Sequence, residues 1–274
     1  MPLWLLIPLA VLILAACLYL SLIASRPAKD WRLAPFLSFD YAHRGLYTKD
    51  QTVPENSLAA FGRAVEHSYG AELDVQLSAD GQVVVFHDGS LKRMCGLDKP
   101  LNALTYSELK GLPLGQSGER IPLFTEVLEL IGGKVPLIIE LKAGGRNSEL
   151  CRKTWEILQG YKGPYCVESF DPRIVRWFKK NAKKVVRGQL ADQYKNAPSV
   201  PPFLRFLLKN LCGNFLAKPH FIAYRHEEAG ECLNFKLCKK WFHLLTVAWT
   251  VRDGDDAEAV RKQFDLIIFE HFLP

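Results

Sequence analysis

From residue 39 to residue 269, short aliphatic or β-branched runs alternate with amphipathic stretches, and this rhythm restricts the fold more than any other property of the chain. Candidate strands are 39–43, 72–77, 83–87, 136–142, 165–170, 185–190, 220–224, 244–251 and 265–269. The helical pattern between them covers 56–67, with Asn56 as N-cap, and then 123–131, 148–158, 172–182 and 256–263. Only five residues, 78–82, separate the second and third candidates, and Asp80-Gly81 within them is a hairpin signal. Five residues cannot form a crossover helix, so 83–87 reads as an antiparallel excursion. Eight parallel strands remain, the count of an α/β (β/α)8 TIM barrel over 39–274. Residues 89–121, with Pro100, Gly111, Pro113, Gly115 and Gly118, break the rhythm and read as a small insertion over the barrel mouth.

The N-terminus is built differently. Residues 3–24 include 20 apolar residues out of 22, interrupted by Pro8 and Ser21, and no charge. As a helix they would rise ~33 Å, enough to cross a hydrocarbon core of ~30 Å. Residues 1–25 therefore read as one transmembrane anchor and 26–38 as a juxtamembrane linker. Arg26, Lys29 and Arg32 follow the anchor, so the positive-inside rule puts the catalytic domain of a single-pass protein in the cytoplasm. The alternative is a lipoprotein lipidated at Cys17, since Leu14-Ala15-Ala16-Cys17 resembles a lipidation box. No basic segment precedes that box, however, and the apolar run continues beyond it. Seven cysteines without a CxxC pair speak against a disulfide framework or a zinc site.

The formal charge of +6 is local. Residues 173–187 hold seven basic side chains and no acid, leaving −1 for the rest, so nucleic acid is not an expected partner. This basic stretch is either the solvated face of an outer helix or a surface for anionic lipid. The segment 203–216, apolar with Arg205 and Lys209, has the pattern of an interfacial helix or a packed barrel helix.

Reacting groups of a (β/α)8 barrel gather where its strands end. Those positions hold His43 and Arg44 on the first strand, Glu72 and Asp74 on the second, His87 after the hairpin, and Glu140 and Lys142 on the next. Glu72 and Asp74 are two residues apart and share a face, as do Glu140 and Lys142. Three inward carboxylates repel one another unless a cation joins them, and a hard divalent ion, Mg2+ or Ca2+, suits oxygen ligands.

These segments resemble the glycerophosphodiester phosphodiesterase family: Ala42-His43-Arg44-Gly45, Pro54-Glu55-Asn56-Ser57, Glu72-Leu73-Asp74-Val75-Gln76, Val84-Val85-Phe86-His87-Asp88 and Ile139-Glu140-Leu141-Lys142. Ser169-Phe170 and Trp249-Thr250-Val251 are similar to later parts of the pattern. The resemblance implies a barrel that acts as a metal-dependent phosphoric diester hydrolase, cleaving glycerophosphodiesters, or lysophospholipids given the anchor, to a glycerol phosphate and an alcohol. It implies His43 and His87 as the acid/base pair and Glu72, Asp74 and Glu140 as metal ligands. It further implies Arg44 and Lys142 on the phosphate, Glu55 as a nearby acid and Trp249 as a lining ring. Two departures stand out: the family commonly ends with a strand carrying Thr-Asp before a Pro, where this chain has Ile267-Ile268-Phe269-Glu270-His271-Phe272-Leu273-Pro274, and Arg252-Asp253 stands where Asn is usual after Trp-Thr-Val. Both are expected to affect substrate shape rather than chemistry. A catalytically silent lipid-binding barrel, and a phosphoinositide-type phosphodiesterase forming a cyclic phosphate, are the alternative functions.

Overall fold

The computed structural model describes residues 3–25, 30–195, 197–198 and 200–274. Nine strands form one sheet: β1 Tyr41–Ala42, β2 Gly70–Leu77, β3 Val83–Val85, β4 Leu137–Leu141, β5 Tyr165–Ser169, β6 Val186–Ala191, β7 Phe221–Arg225, β8 Leu245–Arg252 and β9 Leu266–Glu270. β1 pairs in parallel with both β2 and β9, which closes the barrel, and β3 runs antiparallel on β2. The eight parallel strands and the hairpin excursion are those expected.

The main helices are α1 Leu3–Ile23, α2 Leu58–Glu66, α3 Phe124–Ile131, α4 Asn147–Leu158, α5 Pro172–Asn181, α6 Pro202–Lys209, α7 Asn214–Ala217, α8 Leu233–Phe242 and α9 Ala257–Gln263. α8 has no counterpart among the helices expected from sequence, because its apolar period is blurred: Asn234 is buried with Phe235 and Cys238, while Leu233 and Trp241 are exposed. The N-cap of α2 is Ser57, whose hydroxyl accepts from the Ala60 amide, and not Asn56. Asn56 is drawn instead into a left-handed conformation (φ 56°), from which its side-chain amide donates to Asp74 Oδ2 at 2.8 Å.

Alternation along each strand divides the barrel into storeys. The lower, inward-facing layer is apolar: Tyr41, Ile138, Cys166, Val186, Phe221, Val247, Leu266 and Ile268 are buried together with Phe36. Phe36 comes from the segment before β1 and closes the base; burying such a ring is worth about 1.5–3 kcal/mol, and Tyr41 Oη donates to its carbonyl at 3.0 Å. Gly188 is obligatory in this layer, because a Cβ there would lie within 2.6 Å of the Phe221 ring. Two residues further along several strands the inward side chain becomes polar: Tyr41 to His43, Ile138 to Glu140, Cys166 to Glu168, Ala223 to Arg225, Ile268 to Glu270. That step separates a scaffold floor from a chemical layer.

The segment after the hairpin builds a small core of its own from residues including Phe86, Leu91, Met94, Leu101, Leu109 and Ile121. Two elements of the charge reading change. Arg187 belongs to β6, is 4% exposed and donates to the carbonyls of Ala217 and Lys218, while Arg173 pairs with Asp171 at 2.7 Å. The seven basic residues of 173–187 therefore do not form one surface. Arg32 donates to the carbonyl of Lys184 at 2.8 Å, so its charge is spent on the barrel base; Arg26 and Lys29 lie outside the described residues.

Candidate active site

β1 ends in a tight turn in which both Arg44 (φ 55°) and Gly45 (φ 79°) are left-handed. Glycine is required there, since a Cβ would meet Ala60 at 2.9 Å. The turn aims the Arg44 amide at Glu72 Oε2 (2.9 Å) and its guanidinium at Glu55 (2.7 Å) and Asp74 (3.6 Å).

β2 and β4 are paired so that Asp74 stands opposite Glu140. This register brings carboxylate oxygens of Glu72, Asp74 and Glu140 within 4.8 Å of one another, all buried. Lys142 Nζ reaches Glu140 at 2.9 Å and Asp74 at 3.3 Å. Glu168 on β5 stands opposite Glu140 in turn, and its Oε2 is buried without a hydrogen-bond partner. Burial opposes the charge of Asp74, but Lys142, His87, Arg44 and the Asn56 amide together hold it well below the carboxylate range. Glu72 and Glu168 are pushed well above that range, by burial first and then by neighbouring carboxylates. Glu140 is raised by burial, and Lys142 relieves it in part. An oxygen-only cluster with more acid than its cations can neutralise, plus an orphaned carboxylate oxygen, fits a hard divalent cation.

Each histidine is held by an acid that is itself held by an arginine. His43 Nδ1 lies 2.6 Å from Glu270 Oε2, and Glu270 also accepts from Tyr47 Oη (2.8 Å) and Arg252 Nε (2.6 Å). His87 Nδ1 lies 2.7 Å from Asp88 Oδ1, and Asp88 accepts from Arg93 Nε at 2.6 Å. Both acids lie well below the carboxylate range despite burial, through these same partners. Ionised carboxylates only accept, so each histidine carries its proton on Nδ1. Burial first, then Arg44, lower the pKa of His43, and Glu270 offsets part of this; the ring is neutral, with Nε2 as its acceptor. Gln76 fixes the second histidine by donating to the carbonyls of Phe86, His87 and Asp88 at 2.8–3.1 Å.

A cavity of about 290 Å³ is lined by His43, Arg44, Glu72, His87, Glu140 and Lys142 on one side and by Phe170, Leu190 and Trp249 on the other. Trp249 packs edge to face against Phe170 (5.6 Å), and the Arg225 guanidinium sits 4.7 Å from its ring centre. A larger groove of about 450 Å³ lies outside the barrel at the start of α4, where Arg146 and Arg173 are paired with Glu149 and Asp171.

All nine residues singled out from sequence converge here, although Glu55, clamped between Arg44 and Arg93, and Asp74, buried beneath Lys142, do not line the cavity. Sequence reasoning missed Glu168, Glu270, Arg252, Arg225 and Arg93. The two-residue step from apolar to charged along a strand, used for Glu140, also marks Glu168, Arg225 and Glu270. The two departures meet in the fold: Arg252 and Glu270 contact each other, and Glu270 holds His43.

A sequence model described as the glycerophosphoryl diester phosphodiesterase family matches residues 43–268. A glycerophosphodiester phosphodiesterase of Caldanaerobacter subterraneus subsp. tengcongensis is 45% identical over 162 residues, 54% of this chain and 65% of that protein, so the chain spans just under two thirds of this relative. A lysophospholipase D of Rattus norvegicus is 34% identical over 140 residues, covering 46% of this chain and 43% of that protein. The crystal structure of a glycerophosphodiester phosphodiesterase from Thermotoga maritima superposes with a TM-score of 0.62 at 28% identity, over 84% of this chain and 94% of that one. With the closed barrel and its strand-end acids in place, these matches assign the chain to the glycerophosphoryl diester phosphodiesterase family.

Proposed function

We propose that the barrel, residues 39–274, hydrolyses phosphodiesters bearing glycerol to a glycerol phosphate and an alcohol. The observation that carries this reading is the meeting, at one strand-end cavity, of three clustered carboxylates with two histidines each fixed by an acid. Glu72, Asp74 and Glu140 would hold a divalent cation, Mg2+ or Ca2+, and such an ion would supply Lewis-acid assistance to the attack on the phosphodiester. Arg44 and Lys142 place their charges on the non-bridging oxygens, where negative charge grows as the diester is attacked. Neutral His43, its Nδ1 proton fixed on Glu270, takes the proton of the attacking oxygen at Nε2. His87, in its imidazolium form with a second proton on Nε2, gives that proton to the departing alkoxide and keeps the one held by Asp88. Glu55 keeps Arg44 in position, and Trp249 with Phe170 forms the wall for the glycerol side of the substrate, where a lysolipid carries its acyl chain.

The substrate reading extends to lysophospholipids, supported by the apolar wall and by the lysophospholipase D among the relatives. α1 is an anchor in this reading: its window Leu6–Ile23 has a mean hydropathy of 2.7 and is 6% buried. The catalytic domain then stands in the cytoplasm, and lipidation at Cys17 is the competing form of attachment.

The test is a substrate panel, glycerophosphocholine and lysophosphatidylcholine among its members, with and without chelator and with product analysis. Release of glycerol phosphate that chelation stops is expected. A cyclic phosphate as the accumulating product would instead indicate phosphoinositide-type chemistry, and binding of lysolipid without turnover a silent barrel.

A further inference from the structure

α1 docks on the barrel by its last two turns only, and the docking has a direction. Tyr19 Oη donates to Asn234 Oδ1 at 2.6 Å, and Cys238 Sγ donates to the Ile23 carbonyl at 3.5 Å. Asn214 Nδ2 donates to the same carbonyl at 3.2 Å, and Lys218 Nζ to that of Ala24 at 3.0 Å. α8 leaves the C-terminal end of β7 and returns to the N-terminal end of β8, so Asn234 is nearer the catalytic end and Cys238 nearer the base. α1 therefore runs parallel to α8. Followed back from Tyr19, residues 3–18 continue beyond the catalytic end for ~24 Å, with side chains such as Leu14 and Trp4 exposed.

The same end carries uncovered apolar side chains. α6 lies across the rim: Lys209 O accepts from Tyr224 Oη on β7, and Asn210 O accepts from Asn234 Nδ2 at 2.6 Å. α6 has no buried residue, and Phe203 and Phe206 are 74% and 56% exposed. Leu233, beside the Tyr19 contact, is 66% exposed. Arg205 and Lys209 flank the phenylalanines, the composition of a helix that lies in an interface with anionic lipid. Inside the cavity, the apolar wall belongs to this side too. Phe170, Leu190 and Trp249 end β5, β6 and β8, and Phe170 packs against Tyr194 in the segment that leads to α6. The carboxylates sit across the cavity on β2 and β4.

We propose that the catalytic face of the barrel lies against the bilayer, with α6 and Leu233 in the interface and the apolar wall opening toward lipid on the anchor's side. This rests on α1 being an anchor and on the phosphodiesterase reading of the cavity. It orients a single-chain lipid with its phosphate over Glu72, Asp74 and Glu140 and its acyl chain along Trp249 and Phe170. Exposed Trp31, Leu37 and Trp241 lie at the base, from which α1 points away, and so do Lys183 and Lys184.

The full chain in vesicles of phosphatidylcholine and phosphatidylglycerol tests this with two substrates, soluble glycerophosphocholine and bilayer-borne lysophosphatidylcholine. Phe203→Asp combined with Phe206→Asp is expected to lower lysolipid turnover about tenfold or more and to leave the soluble diester unchanged. Trp31→Asp with Trp241→Asp is expected to change neither. Loss of lysolipid turnover in the base variant, with the α6 variant intact, would overturn the orientation. Fluorescence separates this orientation from the fate of the phosphodiesterase reading and from misfolding of the aspartate variant. Lipids brominated in the acyl chain should quench the added emission of Phe203→Trp and not that of Leu37→Trp, whether or not any diester is hydrolysed. The reverse pattern, or equal quenching of both, contradicts the proposal.

Discussion

The two halves of the barrel mouth do different work. Strands β1, β2 and β4 with the hairpin loop supply most of the charged groups: His43, Arg44, Glu72, His87, Glu140 and Lys142 line the cavity, with Asp74 buried among them. Strands β5 to β8 supply the apolar Phe170, Leu190 and Trp249, with Arg225 lying over the indole, and two further charged groups, Glu168 beside Glu140 and Arg252 on Glu270. The first half is crowded with charge that burial disfavours and mutual pairing restores, a geometry that tolerates little change. The second half is a packed apolar wall, where a change of shape costs contact area rather than a lost charge. β9 joins the two, since Glu270 sits on the last strand yet orients the histidine of the first.

If this division holds, the largest effect belongs to the charged half. His43→Ala or His87→Ala should reduce kcat by about 10²–10⁴-fold with little change in thermal unfolding, read by initial rates and circular dichroism. Glu270→Gln comes next, because it keeps the shape and removes the ionised acceptor. A loss of about 10²-fold is expected. Glu270 raises the proton affinity of His43, so its loss should shift the acid limb of the rate profile to lower pH. An unshifted limb would leave Glu270 a purely structural role.

The third test concerns stability. In the metal-free protein the folded pKa of Glu72 lies above its unfolded value, so its protonation contributes stability at low pH that is lost as pH rises toward that folded pKa. A bound cation reverses this, because it needs the ionised form. Saturating Mg2+ or Ca2+ should thus raise Tm more at pH 8 than at pH 5; binding at a hundredfold excess over Kd is worth about 2.7 kcal/mol. Calorimetry with and without chelator reads the difference, and equal shifts at the two pH values would contradict it. The smallest effect is expected in the apolar half. Trp249→Ala should raise KM for lysophosphatidylcholine by roughly tenfold, the loss of one ring contact, while KM for glycerophosphocholine changes less.

The same division explains what could be read from sequence. The barrel was legible because alternation of apolar runs at strand and helix periods survives without an alignment, and five residues between two runs permit only a hairpin. The charged half was legible because its groups cluster in short segments, as in Glu72-Leu73-Asp74. Glu270 escaped because its partner is distant in sequence: it is 227 residues from His43, and the contact exists only once the barrel closes through β1 and β9; Arg252 escaped with it, since its partner is Glu270. Asn56 was misassigned for a related reason, since a cap position and a bond to Asp74 compete for one side chain and only the fold decides. The basic run 173–187 suggested one patch, but a strand begins within it and buries Arg187 between the barrel wall and the segment 217–218.

The central claim is that the charged half binds a metal and, with its two histidines, cleaves a glycerol-bearing phosphodiester. The most direct test measures glycerol phosphate release from glycerophosphocholine by the full chain, first as purified, then after chelation, then after return of Mg2+ or Ca2+. The account predicts release, loss and recovery, with wild-type Asp74 required for recovery and Asp74→Asn unable to support it. Hydrolysis that persists after exhaustive chelation, or that Asp74→Asn performs as well as the native chain, would contradict it.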